Sequence, residues 1–171
     1  MAKKNQQVET RLIAEYVKER YSQFPFTLKQ PLGSINEDLA RDMGFEKALR
    51  LSRPTRPEAD AVVFRPKQLI LIEAKVWHII DGLAKLPLYR SLIPVTPELA
   101  HVKDQEILME IVVPWTNPNL ETMAASVGAK VVLYKPLWID EVVENVQRYT
   151  TREYREAREE KNRMRELLGL D

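Results

Sequence analysis

Three residues near the middle of the chain carry side chains that could do chemistry together: Asp60, Glu73 and Lys75. Glu73 and Lys75 are separated only by Ala74 and close the apolar run Leu69-Ile70-Leu71-Ile72. Side chains alternate along a strand, so Glu73 and Lys75 point to one face. Two opposite charges ending a buried run are costly unless they are paired or bind something. Asp60 belongs to the preceding extended run, and a hairpin turning at Pro66-Lys67 returns it alongside Glu73. Two carboxylates and an amine then converge, a set that suits a metal ion held by oxygen. The structural alternative is an ion pair between Glu73 and Lys75, with Asp60 capping a turn.

A further carboxylate comes from the start of the chain. At about 100° per residue, Val8, Leu12, Ile13 and Tyr16 form one helical stripe, and Glu9 falls near its middle. An inward carboxylate on such a face needs a partner. A metal shared with Asp60 and Glu73 would supply one.

Composition limits the other chemistries. The 171 residues suit one domain, and 44% hydrophobic content suits a packed core. There is no cysteine, which removes disulfides and thiolate ligands. The two histidines, His78 and His101, are too few for a multi-histidine zinc site. Lys plus Arg number 26 against 25 for Asp plus Glu, a net charge of +1 that decides little about nucleic acid. With no apolar run of membrane-spanning length and no signal-peptide pattern at the start, a cytoplasmic protein without a membrane partner is expected.

The elements that must position these residues follow from periodicity. A helix is expected from about Val8 to Tyr21, then a short extended segment up to Gly33. A short helix expected near Glu37 to Met43 leads to an arginine- and proline-rich loop, Arg50 to Pro57. Strands are expected at Ala59 to Phe64 and Leu69 to Lys75. A helix follows from Ile79 to Ile93, disturbed by Gly82 and Pro87. Thr96-Pro97 and Asn117-Pro118 read as cap-and-proline helix starts. Strands at Ile107 to Val113 and Lys130 to Tyr134 imply parallel pairing through a right-handed crossover. The expected class is α/β, a central mixed sheet flanked by helices, with helices at the C-terminus.

With the residues in this order, the sequence resembles the PD-(D/E)XK nuclease superfamily. Pro57-Glu58-Ala59-Asp60, then Glu73-Ala74-Lys75, with Glu9 on the preceding helix, carry the resemblance. It covers the chain from Glu9 to about Tyr134. It implies a restriction-endonuclease-like core, αβββαβ plus a further αβ, and hydrolysis of DNA phosphodiesters with Mg²⁺ or Mn²⁺. Asp60, Glu73 and the Ala74 carbonyl would be metal ligands, Glu9 would contribute directly or through water, to the same ion or a second one, and Lys75 would complete the catalytic set by positioning water or neutralising charge. Many members also carry a Gln or Lys on the next helix with a Tyr four residues later, and Lys85 to Tyr89 looks like that pattern. Two departures stand out: Asp60 comes three positions after Pro57 rather than next to it, and Pro87 falls between Lys85 and Tyr89. The alternative function is a non-catalytic nucleic-acid-binding or scaffold module on the same fold.

Arg50, Arg53, Arg56, Arg65 and Lys67 flank the Asp60 strand and could contact phosphate, Arg53 and Arg56 together with Lys85 being the foremost candidates. An ordinary solvated loop would explain the arginines equally well. His78 reads as a surface or satisfied residue, and Trp115 and Trp138 as packing residues. One domain is expected over residues 1–149, carrying the nuclease-like core, followed by a charged helix over 150–171. Val142, Val143, Val146 and Tyr149 form one stripe, and Thr150 with Glu153 could make a capping box. The last helix reads as solvated and laced with i,i+4 pairs, or as an arm for a partner, a second copy or a larger assembly.

Overall fold

Two hydrophobic runs that pair in register form the centre of the computed structural model. β2 (Glu58–Arg65) and β3 (Gln68–Ala74) are antiparallel, with Ala61 opposite Ile72 and Val62 opposite Leu71. Lys67 turns the hairpin in the left-handed conformation, φ 64°. The structure describes the backbone of residues 2–150 and 152–169, and the side chains of 6–145 and 156–169. The capping-box reading of Thr150 and Glu153, and the stripe positions Val146 and Tyr149, lie outside the described side chains.

The sheet has five strands in the order β1-β2-β3-β4-β5. β1 (Phe26–Pro31) pairs antiparallel with β2, completing a meander. β4 (Glu106–Val113) runs parallel to β3, and β5 (Ala129–Leu133) parallel to β4. The parallel steps need crossovers. α4 (Ile79–Leu92) lies in the first and α5 (Pro118–Ser126) in the second. Asn117 caps α5 by accepting from the Leu120 N–H at 3.0 Å, as its cap-and-proline sequence predicts. Thr96 does not cap the 3₁₀ turn after it; its hydroxyl donates back to the Leu92 carbonyl and accepts from the Gly33 N–H, both at 2.8 Å.

Alternation along the strands separates two buried faces. Leu69, Leu71, Met109, Ile111 and Val113 meet Leu83, Leu86 and Tyr89 of α4 in the main core. Glu110, one residue out of phase, turns to the other face, where Tyr16 of α1 (Ala2–Tyr21) reaches it. Leu12, Ile13, Tyr16 and Val17 of α1 are all buried, as their helical spacing predicts. Each such side chain contributes about 1.5–3 kcal/mol on leaving water. The fold is therefore α/β, an open mixed sheet flanked by helices. Between β1 and β2 lie α2 (Glu37–Met43), α3 (Phe45–Ser52) and a 3₁₀ turn, Arg53–Thr55.

α4 runs unbroken through Pro87, although proline removes one helical N–H. Residues 1–134 form one compact unit and 135–171 a second. The second holds α6 (Trp138–Thr150) and α7 (Arg152–Leu167). From residue 156 to 169 every described side chain is exposed, including Met164, Leu167 and Leu168.

Candidate active site

The site forms where β3 ends. One step beyond the Ala61–Ile72 pair, the hairpin register sets Asp60 opposite Glu73. Asp60 is 5% exposed and Glu73 2%, so both carboxylates lie behind the surface. Asp60 accepts the Ala74 N–H at 3.0 Å through Oδ2, and the Lys29 ammonium pairs with its Oδ1. Glu73 Oε1 lies 3.4 Å from Lys75 Nζ and 3.6 Å from Lys85 Nζ. Glu73 Oε2 is buried without a hydrogen-bond partner among the described residues. A buried carboxylate oxygen without a partner is costly, and in native proteins such groups call for an explanation.

Glu9 approaches from α1, on the other side of the sheet. It accepts from Lys75 Nζ at 3.0 Å and from the Val76 N–H at 3.3 Å. It therefore grips the chain just past the strand and orients the Lys75 ammonium. Glu9 thus has partners of its own in Lys75 and Val76, where a metal shared with Asp60 and Glu73 is expected from the sequence. Among the described residues, no group of three or more His, Asp or Glu side chains is placed to hold a metal. A helix carboxylate on the α1 face meets the strand exit before it meets the carboxylates on the α4 face. The Asp60–Glu73 pair and neighbouring main-chain oxygen form a set that suits a hard divalent cation.

Burial, then the negative charge of Asp60, pushes the Glu73 carboxyl up to about 7, against the pull of Lys75 and Lys85. Burial by itself would depress Lys75, but Glu73, Glu9 and Asp60 outweigh it and hold its pKa above the ordinary value. Lys75 is thus an ammonium at neutral pH, suited to stabilising charge and unsuited to removing a proton. Tyr89 lines the same region; burial and the charges of Glu73 and Asp60 push its hydroxyl up to about 12.

The expected phosphate contacts separate. Lys85 sits on the α4 face of the site, half-buried beside Glu73. Arg53 is exposed and bonds the Glu58 carboxylate at 3.3 Å and the Lys29 carbonyl at 3.4 Å. Arg56 is buried, forked onto Glu98 at 2.7 and 2.8 Å, and also bonded to the carbonyls of Leu32 and Pro31. Its fork is spent inside the fold, so it offers nothing to a phosphate. Arg65 and Lys67 lie at the far end of the hairpin, roughly 17 Å along the strand from Asp60. Arg65 covers the Phe24 ring at 5.3 Å. His78 is exposed, at the N-terminal end of α4.

Two features have no sequence signal. Lys29 lies in an ordinary short extended run, and only its backbone geometry delivers it to Asp60. Gly82 reads as a flaw in a helix, yet Lys75 lies directly across it. A cleft of about 530 Å³ opens on the α1 face beside Arg20, Tyr21, Glu110 and Lys130, away from Asp60 and Glu73. No helix among the described residues is long and apolar enough to cross a membrane. No protein-family model matches the sequence, and no curated protein matches it closely enough to count as a relative.

Proposed function

We propose that the chain is a metal-dependent nuclease of the PD-(D/E)XK class that hydrolyses DNA phosphodiester bonds. The observation that carries this reading is the buried Asp60–Glu73 pair with a Glu73 oxygen unpartnered among the described residues, beside an ammonium locked in its charged form. The order of elements also supports it. A helix, an antiparallel meander, a crossover helix and a parallel strand are what a restriction-endonuclease-like core would require.

Asp60 and Glu73 would hold a Mg²⁺ or Mn²⁺ ion, with the Ala74 carbonyl as a further oxygen ligand. Such an ion, when bound, lowers the pKa of a water ligand and stabilises charge on phosphate. The chain's own residues do the rest. Lys75, fixed by Glu9 and Glu73, presents positive charge where negative charge develops on the phosphoryl oxygens. Lys85 adds a second cation from α4, and Arg53 is exposed, paired with Glu58 on β2. DNA as substrate rests on the resemblance of Asp60, Glu73-Ala74-Lys75 and Glu9 to the nuclease motif.

The test is to incubate the chain with linear, circular, single-stranded and branched DNA, with Mg²⁺ or with EDTA. Cleavage of at least one substrate is expected with Mg²⁺ and not with EDTA, and it is lost in Lys75→Ala and Asp60→Ala. Cleavage that survives both substitutions sinks the residue assignment. One observation favours the second reading, a non-catalytic binding or scaffold module: Lys29 and Lys85 already pair with both carboxylates. Calorimetric titration of Mn²⁺ into wild type and Glu73→Ala separates the two readings. Equal heats would favour the scaffold.

A further inference from the structure

β1 pairs with β2 through Leu28–Ala61 and Gln30–Ala59, and Lys29 and Asp60 lie between those pairs. There Lys29 adopts φ 53°. That left-handed conformation suits glycine and, less well, asparagine and aspartate; a long side chain in mid-strand avoids it. Such strain persists only where the surroundings over-determine it, and it concentrates at functional sites. Here Arg53 helps to hold it, by donating to the Lys29 carbonyl at 3.4 Å while its own position is set by Glu58 at 3.3 Å.

The conformation sets the Lys29 ammonium on Asp60 Oδ1, while the other Asp60 oxygen takes the Ala74 N–H. Side-chain exposure is 28% for Lys29 and 8% for Asp60, so the ammonium reaches the carboxylate from the solvent side and has a route back to water. Lys75 has no such route: it is 11% exposed and held by Glu9 and Glu73. Lys85 faces Glu73 rather than Asp60.

The geometry points to Lys29 as a built-in counter-cation of the site. It neutralises Asp60 in the metal-free protein and must withdraw to solvent before a divalent cation binds there, so it sets the metal affinity of the site. This rests on the metal-site reading above. A ligand that competes with a resident charge binds more weakly by the free energy of displacing it.

Mn²⁺ is titrated by calorimetry into the full chain as wild type, Lys29→Asn, Lys29→Gly and Lys29→Arg, each with and without Glu73→Gln. Asparagine and glycine both tolerate the left-handed backbone, so the charge is removed without adding strain, and glycine also excludes any ligation by the asparagine oxygen. Lys29→Asn and Lys29→Gly are expected to bind Mn²⁺ about tenfold more tightly than wild type, within the usual range of couplings between sites. Lys29→Arg keeps the charge and stays near wild type, and Glu73→Gln removes the tight site throughout. Binding that appears only in the Asn and Gly variants also supports the inference. Glu73-dependent binding in wild type that is unchanged or weaker in both variants overturns the inference and leaves the metal-site reading standing. No binding in any variant removes both.

Discussion

Gly82 of α4 lies directly against the stem of Lys75: a Cβ at position 82 would stand 2.6 Å from Lys75 Cγ and 3.0 Å from Ile111 Cδ1. Cγ is close to the backbone and cannot swing aside as a side-chain tip could. The ammonium beyond it is held at both Glu9 and Glu73.

Gly82→Ala therefore sets two effects against each other. Alanine favours a helix interior by about 1 kcal/mol over glycine. Overpacking a tight contact costs about 1–3 kcal/mol. With separations this short the second effect wins, so the variant is expected to melt a few degrees below wild type and to lose most metal-dependent cleavage as Lys75 is displaced. Thermal melting and a cleavage time course check this. A variant more stable than wild type would show that Lys75 is free to move.

Stability should depend on pH through Glu73. Its carboxyl is raised from 4.5 to about 7, by burial first and Asp60 second. Between those values the folded chain binds more protons than the unfolded chain, so stability falls as pH rises. The contribution is full below about 4.5 and gone above about 7. Glu73→Gln removes the titrating group, and the slope of metal-free stability over that window is expected to flatten. Urea unfolding at a series of pH values measures it. An unchanged slope would assign the dependence to another group.

Arg56 is a structural residue. Burial opposes the charge of Glu98, but the Arg56 fork outweighs it and holds the Glu98 carboxyl below its ordinary value. Breaking a buried pair costs about 3–5 kcal/mol, and with Glu98 31% exposed the lower end applies to Arg56→Met. Denaturant titration should show that loss. DNA affinity of the folded variant should match wild type at every salt concentration, whereas a phosphate contact would reduce the salt slope by about one.

On the opposite face of the sheet, Glu110 accepts from Tyr16 Oη at 2.8 Å and from Tyr21 Oη at 2.9 Å. Burial and the Glu110 charge hold both hydroxyls above their ordinary pKa. Tyr16→Phe removes a hydrogen bond to a buried carboxylate and is expected to cost about 1.5–3 kcal/mol. Mn²⁺ binding should be unchanged, because Glu110 faces away from Asp60 and Glu73. A loss of metal affinity in Tyr16→Phe would show that the two faces are coupled.

What was legible in the sequence is local. The run Leu69 to Ile72 specifies a buried strand, and a period of two puts Glu73 and Lys75 on one face of it. A turn at Pro66-Lys67 sets the register that brings Asp60 opposite Glu73. The apolar stripe of α1 and the Asn117-Pro118 start of α5 are local in the same sense. Sequence proximity misled for the arginines. A strand carries residues away at about 3.3 Å per step, so Arg65 ends at the wrong end of β2 although it is only a few positions from Asp60.

Partnership was decided by the tertiary structure alone. Glu9 meets Lys75 across 66 positions, and Arg56 meets Glu98 across 42. No short window contains both members of either pair, and which carboxylate a cation finds depends on how helices pack on the two faces of the sheet. Lys29 is the sharpest case. Its residue type predicts a solvated strand position, and only a backbone held at φ 53° between two paired positions of β1 makes it the counter-charge of Asp60. Residue type and period thus determined the charged triad of Asp60, Glu73 and Lys75. Packing decided what surrounds it, because ion pairs are set by distance in space and the desolvation that comes with burial.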